Sequence, residues 1–211
     1  MSKLLEQMQK DLYSGAVDAV ASATSTAVDE GMSAKEILDN GLIAGMDVVG
    51  VDFKAGDLFI PEVLLSAKAM HAGLEILRPL LAESGIPSQG KLVIGTVVGD
   101  LHDIGKNLVS MMFQGAGFEV IDLGVDVSPE KFVEAVRSEK ADLVGMSAML
   151  TTTMPSMKIT IDALTEAGLR DKVKVIIGGA PLTAQYAEDI GADRFVPDAG
   201  GAVDTARKLL A

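Results

Sequence analysis

The sequence predicts a chain of mixed class, α followed by α/β, in which a four-helix bundle precedes a five-stranded parallel sheet. Three observations carry this. Through residues 1–87 apolar side chains recur at spacings of three and four, the period of helices that bury one face. A Gly-, Ser- and Pro-rich stretch, Glu83-Ser-Gly-Ile-Pro-Ser-Gln-Gly90, then marks a linker. Beyond it, short near-continuous apolar runs alternate with helix-length stretches, as in a parallel sheet covered on both faces.

The helical half is read first. Leu4, Leu5, Met8 and Leu12 share a helix face, as do Ile37, Leu38, Leu42, Ile43 and Met46, and then Val63, Leu64, Ala67, Met70, Leu74 and Leu77. One break is expected at Glu30–Ser33, where Ser33 caps the next helix with Glu36 as its capping-box partner. Another falls at Lys54–Asp57, with Pro61 in the first turn of the helix that follows. About four helices result, the count of a small antiparallel bundle. With the domain boundary drawn between residues 87 and 88, the second half has strand-like runs at 91–98, 118–124, 142–148, 173–177 and 194–196. Helices are expected between them near 103–116, 129–139, 155–168 and 183–190, with a last one near 200–210. The expected architecture is flavodoxin-like, or Rossmann-like, with its ligand beyond the carboxyl ends of the strands.

Composition narrows the function. The net charge is −12, divided as −7 over residues 1–87 and −5 over 88–211, which disfavours nucleic acid and anionic membranes as partners. Aromatic residues make up 4% and tryptophan is absent, so a stacking platform for single strands is not expected. The chain has no cysteine, which excludes disulfides, iron–sulfur clusters and a thiol nucleophile. The apolar stretches are too short and too interrupted to span a bilayer, and the N-terminus lacks the features of a signal peptide. A cytoplasmic protein is the simplest expectation.

The polar features gather where the strands should end. The first strand delivers Gly99, Asp100, His102, Asp103 and Gly105; the third delivers Ser147, then Met149 and Thr151 to Thr153; the fourth delivers Gly178-Gly179. Neither GxGxxG nor GxxxxGK[ST] occurs in the first loop, so a pyrophosphate-cradling turn is disfavoured. In its place stands DxHxxG. Two residues apart on extended backbone, Asp100 and His102 should point to the same side. A carboxylate there can take one imidazole proton and leave the other nitrogen as a metal-binding lone pair. Gly105 would let the backbone turn tightly into the helix beside a bulky ligand. The plainer reading of Asp-x-His is a surface hydrogen bond. With two histidines in the whole chain, the second being His71 in the helical half, a closed zinc cage is implausible. A metal held by His102 must bring most of its own ligands, as a tetrapyrrole-like macrocycle does.

These residues carry a resemblance. Asp100-Leu-His102-Asp-Ile-Gly105, 41 residues, Ser147-Ala-Met149, 28 residues and Gly178-Gly179 resemble the DxHxxG, SxL and GG signature of the cobalamin (B12)-binding domain. That domain is found in methionine synthase, base-off mutases and the corrinoid proteins of methyltransfer systems. Met149 stands where the family usually has leucine, a volume-conserving exchange. The resemblance implies that His102 is the lower axial ligand of cobalt, displacing the cofactor's benzimidazole, with Asp100 behind it. It implies that Ser147 bonds the displaced nucleotide tail, that Gly178 and Gly179 leave room for the tail, and that Thr151 touches it. Thr153 would join the His–Asp relay; N-capping of the helix after Met154-Pro155 is the other reading of Thr151–Thr153. Asp103, Gly105 and Met149 complete the candidate cofactor-binding set.

The first half resembles the helical cap that precedes this domain, most clearly over residues 56–80. Phe59, Ile60, Val63 and Met70 are candidates to shield the upper corrin face, while His71 is read as structural or solvent-facing. Cap plus B12 domain is the layout of a stand-alone methyl carrier. The implied cofactor is cobalamin, cycling between Co(I) corrinoid and methylcobalamin. The implied partners are a substrate-specific methyltransferase and a second one acting on tetrahydrofolate or a thiol, and the system admits a corrinoid reductive activator. Such a chain is a carrier subunit rather than a complete enzyme. Aryl methyl ethers, methylamines, betaines and methanol all remain open as donors. The alternatives are a B12-dependent sensor or regulator, disfavoured because 211 residues would leave little room for a signalling segment, and an unrelated hydrolase with a divalent ion at Asp100, His102 and Asp103.

Overall fold

The computed structural model describes residues 2–84 and 88–211. The expected linker at Glu83–Gly90 and the boundary at 87/88 fall in part on residues 85–87, which lie outside the described residues. The chain forms two compact units, one of Met1–Ser88 with Gln114–Gly117, the other of Gln89–Phe113 and Phe118–Ala211.

The first unit is helical. Helix α1 (Lys3–Tyr13) starts under the Ser2 side chain, which accepts the Leu4 amide, and Gly15 then turns the chain into α2 (Val17–Asp29). Ser33 caps the short α3 (Ala34–Ile37) by accepting the Glu36 amide at 3.2 Å. A six-residue π-helical turn, Leu38–Ile43, joins α3 to α4 (Ala44–Ala55) in one continuous rod. Periodicity alone does not announce that turn. Within it the Asn40 carbonyl accepts the Gln9 side-chain amide at 2.6 Å. Gly56 closes α4 in the left-handed conformation, and α5 (Ile60–Ser84) carries Pro61 in its first turn, where no amide donor is needed. Leu5, Met8 and Leu12 of α1 are buried, as are Val20, Thr24 and Ala27 of α2 and Val63, Met70 and Leu77 of α5. At Gly73 a Cβ would come within 2.8 Å of Leu42, so this glycine sets how closely α5 can pack.

The second unit is a five-stranded, wholly parallel sheet in the order β2-β1-β3-β4-β5. The strands are β1 (Lys91–Thr96), β2 (Glu119–Asp122), β3 (Leu143–Ser147), β4 (Lys174–Gly178) and β5 (Arg194–Phe195). Helices α6 (Ile104–Gly115), α7 (Pro129–Glu139), α8 (Pro155–Glu166), α9 (Ala184–Ile190) and α10 (Ala199–Leu210) connect and follow them. The doubly covered sheet matches the flavodoxin-like expectation. β1, β3 and β4 are apolar without alternation because both of their faces are buried: Leu92, Val93, Leu143, Val144, Val175 and Ile177 have no exposed surface. β1 stops at Thr96, two residues before the end of its apolar run, because Val97–Asp100 forms a turn in which the Asp100 amide donates to the Val97 carbonyl.

Register aligns the strand ends. Thr96 pairs with Ser147, and Ser147 with Gly178, so three strands finish in one row. The chain passes from β1 outward to β2 and returns to β3 on the other side of β1. This is the reversal of strand order beside which α/β sheets bind ligands. No helix among the described residues is long and apolar enough to cross a membrane.

Candidate cofactor-binding site

The site is built across that reversal point, from the loop after β1 and the loop after β3. Asp100 has no exposed surface. Its Oδ1 accepts the ring Nδ1 of His102 at 2.7 Å and the backbone amide of His102 at 3.1 Å. Its Oδ2 accepts the Met149 amide at 2.8 Å and the Thr153 hydroxyl at 2.8 Å. Burial is the largest influence on this carboxyl and disfavours its charge. Acting together, the Met149 amide, the His102 ring and amide and the Thr153 hydroxyl outweigh it and hold the group well below the usual carboxylate range.

This has a consequence for the histidine. An ionised carboxylate only accepts, so Nδ1 must carry the proton, and a neutral ring then has its lone pair on Nε2. The His102 side chain is 54% exposed, so that nitrogen sits on a ring open to a ligand. The Thr96 hydroxyl, itself buried, donates to the His102 carbonyl at 2.8 Å and fixes the loop from below.

The contact between Asp100 and His102 is double: besides the ring, Asp100 Oδ1 accepts the backbone amide of His102, a bond that the two-residue spacing does not announce. The tight bend expected at Gly105 lies instead at Gly99, whose φ is +84°. Gly105 is an ordinary residue of the first turn of α6, and no atom lies within 4 Å of where its Cβ would stand. Capping does not explain Thr153 either. Helix α8 begins at Pro155 without a side-chain cap bond, and the Thr153 hydroxyl is committed to Asp100, with the Leu150 carbonyl at 2.9 Å.

The remaining candidates are placed as follows. Ser147 is half-buried at the end of β3, and Met149 and Thr151 are exposed in the loop after it. Asp103 is exposed and accepts the Asn107 side chain at 3.1 Å. Among the described residues no three acidic or histidine side chains converge as metal ligands. At Gly179, φ is +144° and a Cβ would stand 1.9 Å from the Ala148 carbonyl oxygen, so only glycine fits. In the helical unit Phe59 and Ile60 are exposed, Val63 and Met70 are buried, and His71 is exposed.

One feature escapes sequence reading. Val98, Leu101, Ile104, Met149 and Leu150 are all exposed, Leu101 and Ile104 by more than 70%. The first three flank His102, and the last two lie beside Asp100 through the Met149 amide. Exposed apolar side chains in the two loops that carry His102 and its Asp100 anchor are surface suited to the apolar face of a ligand. In the sequence Val98 passes for the end of a buried run, Met149 is marked only by the motif, and Leu101, Ile104 and Leu150 carry no signal.

Comparison with known proteins agrees. A B12 binding domain family matches residues 90–207, and a second B12 binding domain family matches residues 4–78. The chain is 47% identical to dimethylamine corrinoid protein 1 of Methanosarcina acetivorans, over 100% of both chains. It is similar in structure to a cobalamin-binding protein from Desulfitobacterium hafniense (TM-score 0.80, 32% identity, 97% of each chain). It is also similar to the methanol:cobalamin methyltransferase complex MtaBC from Methanosarcina barkeri (TM-score 0.89, 30% identity, 99% of this chain and 80% of that one). With models matched in both halves and a relative matched end to end, the chain belongs to the corrinoid proteins that carry a B12 binding domain, and its cofactor is a cobalamin.

Proposed function

We propose that this corrinoid protein is a methyl carrier that holds cobalamin base-off, with His102 Nε2 as the lower axial ligand. The observation that carries the reading is the buried Asp100 carboxylate. By accepting from Nδ1 it fixes the ring tautomer, and through Met149 and Thr153 it anchors the ring to a second strand end. Bound cobalamin supplies the cobalt that takes up and releases the methyl group. The residues of the chain bind and orient. Leu101, Ile104 and Val98 offer an apolar seat around the ring, with Met149 and Leu150 beside it. Ser147, Thr151 and Gly178 line the path proposed for the nucleotide tail, and Gly179 keeps that path clear of side chain. Asp103 and Gly105 frame its entrance. Residues 1–87 are assigned as the cap, with Phe59 and Ile60 its exposed apolar candidates, and residues 88–211 as the cobalamin-binding domain.

The partners proposed are a substrate-specific methyltransferase that loads the carrier and a second methyltransferase that delivers to tetrahydrofolate or a thiol. The likeness to dimethylamine corrinoid protein 1 favours a methylamine as donor, and the likeness to MtaBC supports a methyltransferase partner.

Nitrogen isotopes test the ligation. Protein grown on ¹⁵N is loaded with unlabelled cobalamin, and the paramagnetic resonance of the Co(II) form is recorded. Histidine ligation gives a doublet superhyperfine pattern from ¹⁵N. A triplet would show the cofactor's own ¹⁴N base still on cobalt and would overturn the reading.

A further inference from the structure

The loop that carries His102 is gripped from both sides of β1, and only one grip belongs to the DxHxxG pattern. On the β3 side the grip is the Asp100 carboxylate, held by Met149 and Thr153. On the β2 side it is Asp126, in the loop between β2 and α7. Asp126 Oδ1 accepts the Gly99 amide at 2.7 Å, and the Asp126 amide donates to the Asp100 carbonyl at 3.1 Å. One residue therefore holds both peptide groups that lead into the histidine turn. To do so it adopts φ +52°, in the left-handed region, which among side-chain-bearing residues Asp and Asn tolerate best. Gly99, its partner, is also left-handed, at +84°. The lacing continues beneath them: the Val127 amide donates to the Thr96 carbonyl and the Thr96 amide to the Gly124 carbonyl, both at 3.0 Å.

We infer that Asp126 is a positioning residue for the axial histidine, fixing the Gly99–Asp100 backbone so that the His102 ring is presented at one height and angle. The inference rests on the reading of His102 as the cobalt ligand. A ligand mounted on a turn is only as well placed as the turn: the Asp100 carboxylate holds its β3 side, the Thr96 hydroxyl holds the His102 carbonyl, and Asp126 holds the two peptide groups on the β2 side.

Two substitutions separate the role from plain loop stability. Asp126→Gly keeps the left-handed backbone and deletes the acceptor, while Asp126→Asn keeps both. In ¹⁵N-labelled Co(II) holoprotein, the ratio of histidine-ligated to unligated cobalt should fall roughly fivefold or more in Asp126→Gly and stay within about twofold in Asp126→Asn, the size expected for one charge-assisted hydrogen bond. In the apoprotein the Gly99 amide should exchange about tenfold faster in Asp126→Gly alone. An unchanged ligation ratio in Asp126→Gly overturns the inference even if Gly99 exchange accelerates, and so does an equal loss in Asp126→Asn. A wild-type spectrum without the doublet is a different failure, seen before any variant is compared. It removes His102 as the ligand, and the inference with it.

Discussion

Two loops at the same edge of the sheet are built on opposite principles. The loop after β1 is held by side chains, with one buried carboxylate collecting four donors from two strand ends. The loop after β4 is shaped by the lack of one, because Gly179 lies against the Ala148 carbonyl where no Cβ fits. The first is specified by chemistry and the second by space. A chemical specification can be weakened a bond at a time; a spatial one fails at once.

The most damaging substitution should therefore be the smallest. Gly179→Ala sets a methyl group 1.9 Å from a backbone oxygen at a φ unsuited to alanine, and should cost about 3–5 kcal/mol in denaturant unfolding. A cost below about 1 kcal/mol would show that the β4 loop yields and erase the contrast. Asp100→Ala comes next. It strands the Met149 and His102 amides and should cost about 2–4 kcal/mol, with loss of histidine ligation on the holoprotein spectrum.

Acid sharpens the same point. The folded protein holds Asp100 below its unfolded value, so between those two values the unfolded state takes up a proton that the native state refuses. Its contribution should be complete above about pH 5 and fall away as the pH drops through the ordinary carboxylate range toward the folded value. Urea titrations of wild type and Asp100→Asn should run parallel from neutral pH to about pH 5 and converge in more acidic buffer.

A single bond is worth less. Thr153→Val should cost about 1–2 kcal/mol and leave the fold intact, since three donors still reach the carboxylate. His102→Ala should be the mildest for stability, within about 1 kcal/mol, because the ring is more than half exposed. It should nevertheless abolish the ¹⁵N doublet completely. A large loss of apoprotein stability in this variant would mean that the ring is structural.

The same contrast explains what could be read from the sequence. Sheet order, strand positions and the gathering of Asp100, His102, Ser147 and Gly178-Gly179 at one edge follow from apolar runs and from where polar residues interrupt them. Other features depend on partners distant in the chain. The Thr153 hydroxyl looks locally like a cap and is recruited by a carboxylate 53 residues away. Gly99, just before the motif, and Gly105, at its end, look alike in sequence, and only Gly99 has positive φ. Leu101 and Ile104 give no sign of their exposure, because hydropathy does not say which apolar side chains a fold leaves outside. In the bundle, the six-residue π-helical turn leaves the run Ile37–Met46 as apolar as an ordinary helix. Asp126 carries no signal in sequence, being one acid among 30.

The carboxylate with four donors has one more implication. Two of them are backbone amides and a third, the Thr153 hydroxyl, is on a buried side chain; the imidazole, half exposed, is the one with room to swing out. When it does, the acid keeps three partners, so departure of the ring breaks one of its four bonds. A foot that can be lifted and set down without disturbing the floor beneath suits the proposed carrier, in which this ring would hold the metal at one stage and release it at another.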